Sequence, residues 1–134
     1  MQEPPPHSES PRLLRVWTTG VRPGRLADYL AFANSRSLPM FRSMAGCEAV
    51  HFIRLGDTRQ AVATVWADQA AIHACERSAL YQRTVADLIA TGVLEGDTAV
   101  AVVPLAGALA ELWSALLDTP RRLGGFDDAE PLVL

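Results

Sequence analysis

Hydrophobic positions along the chain follow two different spacings, and these predict where the strands and helices lie. Segments rich in β-branched and aromatic residues, separated by turn residues such as those at 56–58, predict strands. Apolar residues at helical spacing predict two helices between them. The predicted strands are 13–21, 47–55, 60–67 and 98–104.

Both predicted helices have recognisable ends. The first follows the turn at 22–24, and Pro39 is expected to end its helical region. The second is expected to begin at an N-cap, Asp68, to kink near Ser78 and to stop at Gly92. The order β-α-β-β-α-β predicts a ferredoxin-like α+β unit with an antiparallel sheet. The apolar stripe of the first helix consists of Leu26, Tyr29, Leu30 and Ala33.

Composition changes at both ends of this pattern. Residues 1–12 are polar and rich in proline, which predicts a disordered N-terminal tail. Residues 13–104 form the predicted domain. Residues 105–134 are expected to add a C-terminal helix, at about 106–118, and an irregular tail whose end is apolar enough to dock on the domain.

The predicted sheet is apolar on both faces. Val50 and Phe52 point to one face of the second strand, and Ile53 and Leu55 point to the other. Two helices cover only one face of a four-stranded sheet, so the other needs a partner sheet or the C-terminal helix. We expect a homodimer, because an exposed apolar face of this size favours association.

Bulk composition excludes several classes of function. With 134 residues, 49% of them hydrophobic and 20% charged, the chain is expected to form one folded domain. A net charge of −3 argues against nucleic acid as a partner. No apolar run is as long as a membrane span and no leader is recognised, so we expect a cytoplasmic protein without a membrane partner.

The reactive side chains also limit the chemistry. All 12 basic residues are arginine, which excludes a lysine Schiff base or a lysine general base. Cys47 and Cys75 are too far apart for a zinc knuckle, and the three histidines have no metal-site spacing. We therefore expect no metal. Cys75 is predicted to be an inert core thiol, and His73 to lie on the surface.

Four short motifs follow one another along residues 13–104: V-x-P-G-R-x-x-x-Y (21–29), A-G-C (45–47), T-V-W-A-D-x-x-A (64–71) and S-x-x-Y (78–81). Together they resemble the antibiotic biosynthesis monooxygenase family. The resemblance implies a dimeric α+β barrel, with sheet packed against sheet and a pocket in each subunit between sheet and helices. It also implies a small hydrophobic or aromatic substrate.

Quinone-forming members of the family need no metal or flavin, because the substrate enolate reacts directly with oxygen. Their tryptophan is matched by Trp66 and a helix arginine corresponds approximately to Arg83. Val62 and Ile72 stand where these members carry an asparagine and a tyrosine. In haem-degrading members, an asparagine, a tryptophan and an axial histidine correspond approximately to Thr18, Cys75 and Val85, so haem degradation is not expected.

The family resemblance and strand parity give the candidate site. Parity places His51 on the helix-facing side with Thr64, where a histidine can remove a proton from a phenol or an activated methylene. Arg83 is the candidate for stabilising the resulting anion, and Trp66 is a candidate wall. The candidate substrate-binding residues are Thr18, Tyr29, Phe32, Thr64, Ile72 and Tyr81.

Each candidate also has a purely structural interpretation. Trp66 is expected to be a packing residue at the pocket wall. His51 can be a core histidine bonded to a neighbouring carbonyl or to Thr64, and Arg83 a solvated helix arginine paired with Asp87.

Three functions follow from these residues. The first is a cofactor-independent monooxygenase acting on a small aromatic or polyketide-type substrate. The second is a cyclase or isomerase in which His51 moves protons without oxygen. The third is a non-catalytic module that binds a small ligand or serves in assembly. If Trp66, Ile72 and Tyr81 fill the space between the helices and the sheet, the first two functions are excluded. If that space is open, oxygen uptake separates the monooxygenase from the cyclase or isomerase.

Overall fold

The computed structural model describes residues 12–105 and 130–132, and the predicted helix at 106–118 lies outside them. So does the predicted N-terminal tail, apart from Arg12. The strands are β1 (Leu13–Val21), β2 (Cys47–Arg54), β3 (Arg59–Trp66), β4 (Leu94–Pro104) and β5 (Glu130–Leu132). The helices are α1 (Leu26–Phe32), α2 (Leu38–Arg42), α3 (Gln69–Arg77) and α4 (Ala79–Ala90), with a π-helical segment, Ala33–Ser37, joining α1 to α2. None of the described helices is long and apolar enough to cross a membrane.

The strands form one antiparallel sheet in the order β4-β1-β3-β2-β5. The predicted α+β class and ferredoxin-like order are confirmed. The C-terminal tail was expected to be irregular with an end that docks, and Glu130–Leu132 forms a short strand that pairs with Phe52, Ile53 and Arg54 at the β2 edge. Pairing there satisfies backbone groups that β2 would otherwise leave open at the sheet edge.

Pro39 does not end the first helical region, which continues to Arg42. Pro39 is the second residue of α2, and the first turn of a helix tolerates proline because the N–H that proline lacks would have no intrahelical partner there. The preceding turn is wider than an α-helical one, since Leu38 N–H bonds to the Ala33 carbonyl five residues earlier. The segment Ala33–Ser37 therefore sets the direction in which the side chains of α2 point.

Two capping side chains position the helices that follow β3. The Asp68 carboxylate accepts a hydrogen bond from Ala71 N at 2.9 Å, as expected of an N-cap. Ser78 is extended, with ψ of 146°, and its hydroxyl accepts from Tyr81 N at 3.1 Å. The predicted kink at Ser78 is confirmed. It separates α3 from α4 and fixes Tyr81 in the first turn of α4.

The sheet has a helix face, which carries Phe52, Val62 and Trp66 under the helices. Its far face carries the cluster Leu14, Val16, Ile53, Leu55, Ala61 and Ala63. The far-face side chains are at most 4% exposed within a single chain. The homodimer was predicted because this face was expected to be open to water, but these residues are already buried in a single chain. The homodimer stays a prediction, which sedimentation of the intact chain tests.

Gly20 lies where β1 meets an irregularity of β4, and we expect Gly20→Ala to destabilise the fold. The register shifts between Thr18 and Gly20, and an added Cβ at Gly20 would lie 2.1 Å from the Glu95 carbonyl oxygen. The backbone must move to relieve this clash, at a cost of about 1–3 kcal/mol.

Urea denaturation measures this loss. Gly56→Ala is the matched control, because an added Cβ at Gly56 meets no atom within 4 Å in the described part of the chain. Equal stability of the two variants would contradict the predicted clash.

Candidate active site

A small cavity lies between the helix face of the sheet and the helices. Its volume is about 30 Å³. A site for one water needs at least about 10–15 Å³, whereas an engineered cavity of roughly 150 Å³ takes up benzene. The cavity is therefore present but nearly filled. Its main walls are Arg15 and Trp17 from β1, Tyr29 from α1, Met40 and Phe41 from α2, and Tyr81 from α4.

Arg15 supplies the charge in this cavity. Its side chain is only 4% exposed, and Nε donates to the Glu76 carboxylate at 2.9 Å. Nη2 donates to the Tyr81 hydroxyl at 2.9 Å, and the guanidinium carbon lies 5.6 Å from the centre of the Tyr81 ring. A guanidinium carries five N–H donors, so it has donors beyond these two contacts. A buried cation in an apolar cavity is a site for an anionic oxygen.

The backbone explains why a buried arginine is tolerated at this position. Arg15 pairs with Thr64 in the central strand pair of the sheet, so its side chain must point to the helix face. Burying an arginine without a partner is costly, and Glu76 offsets that cost. The Glu76 side chain is 37% exposed, so the ion pair reaches from the cavity to solvent.

Aromatic rings form most of the remaining wall. Phe41 lies 6.4 Å from Tyr81 between ring centres, at a tilt of 59°. Tyr29 is buried, and this burial raises the pKa of its hydroxyl well above the ordinary range. The hydroxyl therefore stays protonated at neutral pH. Such a wall favours a flat aromatic ligand over an aliphatic one.

Of the predicted substrate-binding residues, Tyr29 and Tyr81 line the cavity. Trp66 and Ile72 are in the core behind it, and each is almost fully buried. Trp66 Nε1 donates to the Thr64 hydroxyl at 2.7 Å, and that hydroxyl donates to the Arg15 carbonyl at 3.3 Å. Trp66 and Thr64 therefore support the strand that carries Arg15, and neither of them lines the cavity.

The predicted placement of His51 on the helix face is wrong. His51 pairs with Ala63, a member of the far-face cluster, and paired residues point to the same side of a sheet. Cys47 pairs with Trp66 on the helix face, and regular alternation from Cys47 would place His51 on that face as well. A β-bulge at Glu48 then shifts the register, so residues beyond it point the other way.

We accordingly expect His51→Ala to leave turnover of an aromatic substrate unchanged within about twofold, since the side chain lies across the sheet from the cavity. Steady-state oxygen uptake by the variant checks this. If the variant keeps its far-UV circular dichroism spectrum but takes up oxygen more than about tenfold more slowly, His51 would again be a candidate general base.

Three further candidates also lie away from the cavity. Thr18 pairs with Ala61, which places it on the far face and not at the substrate site. Arg83 is exposed on α4 and does not line the cavity, and Asp87 pairs instead with Arg36. Phe32 packs beside Tyr29 and lies 5.2 Å below the Arg36 guanidinium.

The residues that sequence reasoning missed are Arg15 and Trp17. They alternate along β1 and face Thr64 and Val62 across the sheet. A signal for them was present, because a charged residue inside the apolar segment 13–21 of a central strand needs a buried partner. Tracing parity from Trp66 through β3 to β1 crosses no bulge and would have placed both on the helix face.

The thiols and histidines give the cavity no recognisable metal site. Within residues 12–105 and 130–132, no three side chains of His, Cys, Asp or Glu gather as metal ligands do. Cys75 is buried as predicted, and His73 is exposed as predicted.

Burial of Cys75 makes the stability sensitive to alkaline pH. Burial raises the pKa of its thiol from 9.0 to about 11, although the charge of Arg15 acts in the opposite direction. The buried, protonated thiol contributes fully to the free energy of unfolding below the pKa of the thiol in the unfolded chain. This contribution is lost as the pH rises towards the pKa of the thiol in the folded chain, by up to about 1.4 kcal/mol per pH unit.

Urea denaturation at several pH values between the two pKa values measures this slope. Cys75→Ala should flatten it, leaving the contributions of Cys47 and Tyr29, whose pKa values burial also raises. An unchanged slope in Cys75→Ala would show that other groups cause the alkaline loss.

Comparison with known proteins identifies the family of this chain. The family model described as antibiotic biosynthesis monooxygenase matches residues 14–87. The chain belongs to the antibiotic biosynthesis monooxygenase family. The matched residues run from β1 into α4 and contain both Arg15 and Tyr81. No curated protein matches the chain.

Solved structures share the fold of this antibiotic biosynthesis monooxygenase domain. A protein of unknown function from Nitrosomonas europaea is 22% identical, with a TM-score of 0.62, over 73% of this chain and 92% of that one. SnoaB, a cofactor-independent oxygenase from Streptomyces nogalater, is 15% identical, with a TM-score of 0.62, over 75% of this chain and 98% of SnoaB. At these identities the likeness establishes the fold alone.

Proposed function

We propose that the chain is a cofactor-independent monooxygenase that acts on a small aromatic or polyketide-type substrate and stabilises the anion formed from it in the cavity. The observation that carries the proposal is Arg15, a buried guanidinium at the wall of an aromatic cavity. Family membership and the fold shared with SnoaB support it.

Arg15 has the position that anion stabilisation requires. A phenol or an enolisable ketone loses its proton more readily when a cation lies beside the oxygen that becomes charged. The apolar surroundings strengthen that interaction, because few waters compete for the charge. The substrate proton passes to solvent or to the Glu76 carboxylate, which bonds to Arg15 and is partly exposed.

The bound carbanion or enolate then reacts directly with oxygen. When a ring methylene becomes a carbonyl, one oxygen atom of O₂ enters the product and the other leaves as water. The substrate supplies all four electrons through its two C–H bonds, so the reaction needs no external reductant. The residues around the cavity hold the anion, stack against the ring and exclude bulk water.

The test is oxygen uptake with 1,8-dihydroxyanthrone, without added metal or flavin and in the presence of a chelator. We expect one O₂ consumed for each anthraquinone formed, at a rate above that of the enzyme-free solution. A rate no higher than that of the enzyme-free solution would contradict the proposed oxygenase activity.

Two other functions remain as alternatives. The near-filled cavity, with about 30 Å³ of free space, favours a small-ligand-binding module without turnover. Binding of the quinone product without oxygen uptake would identify such a module. A cyclase or isomerase would instead convert its substrate at the same rate under argon.

A further inference from the structure

The far face of the sheet is buried in a single chain, although the described helices lie on the other side. The far-face cluster contains no residue of α1–α4, and its members are at most 4% exposed. The partly buried residues packed against it are Val65, Val103 and Leu105. Side chains stand roughly perpendicular to a sheet, so neighbouring strands cannot cover their tips. Residues of this chain outside 12–105 and 130–132 therefore have to supply the cover.

The chain leaves the sheet and returns to it at opposite corners. It leaves after Pro104, which pairs with the first residue of β1, Leu13. It returns at Glu130, which pairs with the last residue of β2, Arg54. The start of β1 is level with the start of β2 across β3, so the exit and the return lie at opposite ends of the strands. They also lie at opposite edges, since β4 and β5 are the outer strands.

The segment 106–129, which joins these corners, is long enough to cross the sheet. Four strand spacings separate the edges by roughly 19 Å, and the length of β2 adds roughly 23 Å along the strands. The diagonal between the corners is therefore about 30 Å. The segment has 24 residues, which would span about 36 Å even if all of them were helical.

The contacts at both ends of the segment are on the far face. Leu105, at the exit, packs against the far-face cluster. At the return, Pro131 pairs with Ile53, a member of that cluster, so both point to the same side of the sheet. The other face is already covered by the buried side chains of the helices. The direct path between the two corners therefore runs over the far face.

The sequence of the segment suits this position. Its predicted helix, 106–118, has apolar residues at i, i+3, i+4 and i+7, which lie on one side of a helix. The polar residues project from the opposite side, as in a helix that packs one apolar stripe on a core. The apolar stripe consists of Leu109, Leu112, Trp113 and Leu116, and the polar residues are Glu111, Ser114 and Asp118.

We propose that residues 106–129 dock across the far face of their own chain and occupy the surface on which a second sheet would pack. The segment and a second copy of the chain then exclude each other on this face. A dimer in which sheet packs against sheet forms only when the segment is displaced. Docking of the segment is independent of the proposed oxygenase activity, because Arg15 and the cavity lie across the sheet.

Photo-crosslinking of the full chain tests where the segment lies. In Leu112→p-benzoylphenylalanine, irradiation joins the new side chain to C–H groups that it touches. We expect crosslinks to far-face residues of β1, β2 or β3 within the same chain. Irradiating a mixture of ¹⁴N-labelled and ¹⁵N-labelled chains separates the two occupants, because a crosslink between two copies carries both labels.

Ile89→p-benzoylphenylalanine is the control for this experiment. Ile89 is exposed on α4, on the other side of the sheet, so its crosslinks should not reach the far-face residues. Crosslinks of the Leu112 variant that carry both labels would assign the far face to a second copy and overturn the proposal. Crosslinks of that variant to α1–α4 alone, or none at all, would also overturn it.

A pair of aspartate variants tests what the segment covers. Leu112→Asp places a charge in the apolar stripe, and Ser114→Asp places the same charge on the opposite side of the predicted helix. We expect Leu112→Asp to release the far face while the near-UV circular dichroism is retained. The release appears as about threefold more fluorescence of bound 8-anilinonaphthalene-1-sulfonate or as a new dimer in sedimentation, and Ser114→Asp shows neither. If Leu112→Asp does not fold, Leu112→Ala and Ser114→Ala give the same comparison. Equal behaviour of the two variants of a pair would overturn the proposal.

Discussion

We expect Arg15→Gln to lower the rate of oxygen uptake about 100- to 1,000-fold while the chain remains folded. Loss of one donor to a developing oxyanion has an effect of this size in other enzymes. Arg15 is the cation that borders the cavity, and its Nη2 contact to Tyr81 shows that it faces the aromatic wall. The effect should appear mainly in kcat, because the negative charge grows as the reaction proceeds.

Stability changes far less than activity in this variant. The partner carboxylate, Glu76, is 37% exposed and stays hydrated when its ion pair is lost. Arg15→Lys separates the contribution of charge from that of shape, since lysine keeps the charge without the planar fork. We expect it to recover part of the rate.

Arg83→Gln is the matched control. Arg83 is an exposed arginine on α4 that does not border the cavity, so its replacement by glutamine removes the same charge away from the site. The rate of this variant should stay within about twofold of the unmodified chain. An equal loss in Arg83→Gln and Arg15→Gln would contradict the assignment of Arg15, since both changes would then act through net charge.

Trp66→Ala is expected to cost the largest part of the stability, about 3–5 kcal/mol. Trp66 is fully buried, and its ring packs edge-on against Phe41 at 6.4 Å between centres. The substitution leaves a cavity beneath α2 and removes the hydrogen bond to Thr64. The free energy of unfolding of a domain is only about 5–15 kcal/mol in total, so this variant is close to unfolding.

Urea denaturation followed by far-UV circular dichroism measures this cost. Trp66→Phe keeps an aromatic ring at this position, so its free energy of unfolding should fall by less, about 1–2 kcal/mol. This variant gives a measurable stability even when the alanine variant does not fold. Trp17→Ala is the comparison, because Trp17 is only half-buried and lines the cavity. A smaller loss in Trp66→Ala than in Trp17→Ala would contradict the structural role of Trp66.

Much of the fold could be predicted because the local signals agree with the tertiary structure. Nine residues of β1 carry a β-branched and aromatic pattern, and their bounds in the structure equal the predicted ones. Asp68 and Ser78 cap their helices through their own side chains, so their effect depends on neighbours in sequence. Features of this kind need no knowledge of distant contacts.

The site was less predictable because it depends on two irregularities. The bulge at Glu48 has no glycine or proline to mark it, and it moves His51 to the far face. The π-helical turn Ala33–Ser37 carries α2 past Pro39, which sequence rules treat as a stop. Arg83 was favoured over Arg15 because a helix arginine fits the family pattern, whereas the burial of Arg15 depends on Glu76, 61 positions away.

The π-helical segment also has a consequence for the divergence of related chains. It contains one residue more per turn than an α-helix would, so deleting a single residue within Ala33–Ser37 can restore α-helical hydrogen bonding. Such a deletion turns α2 by about 100° and carries Met40 away from Arg15. A change in chain length at this turn would therefore reshape the wall that α2 gives the cavity without any substitution in the sheet.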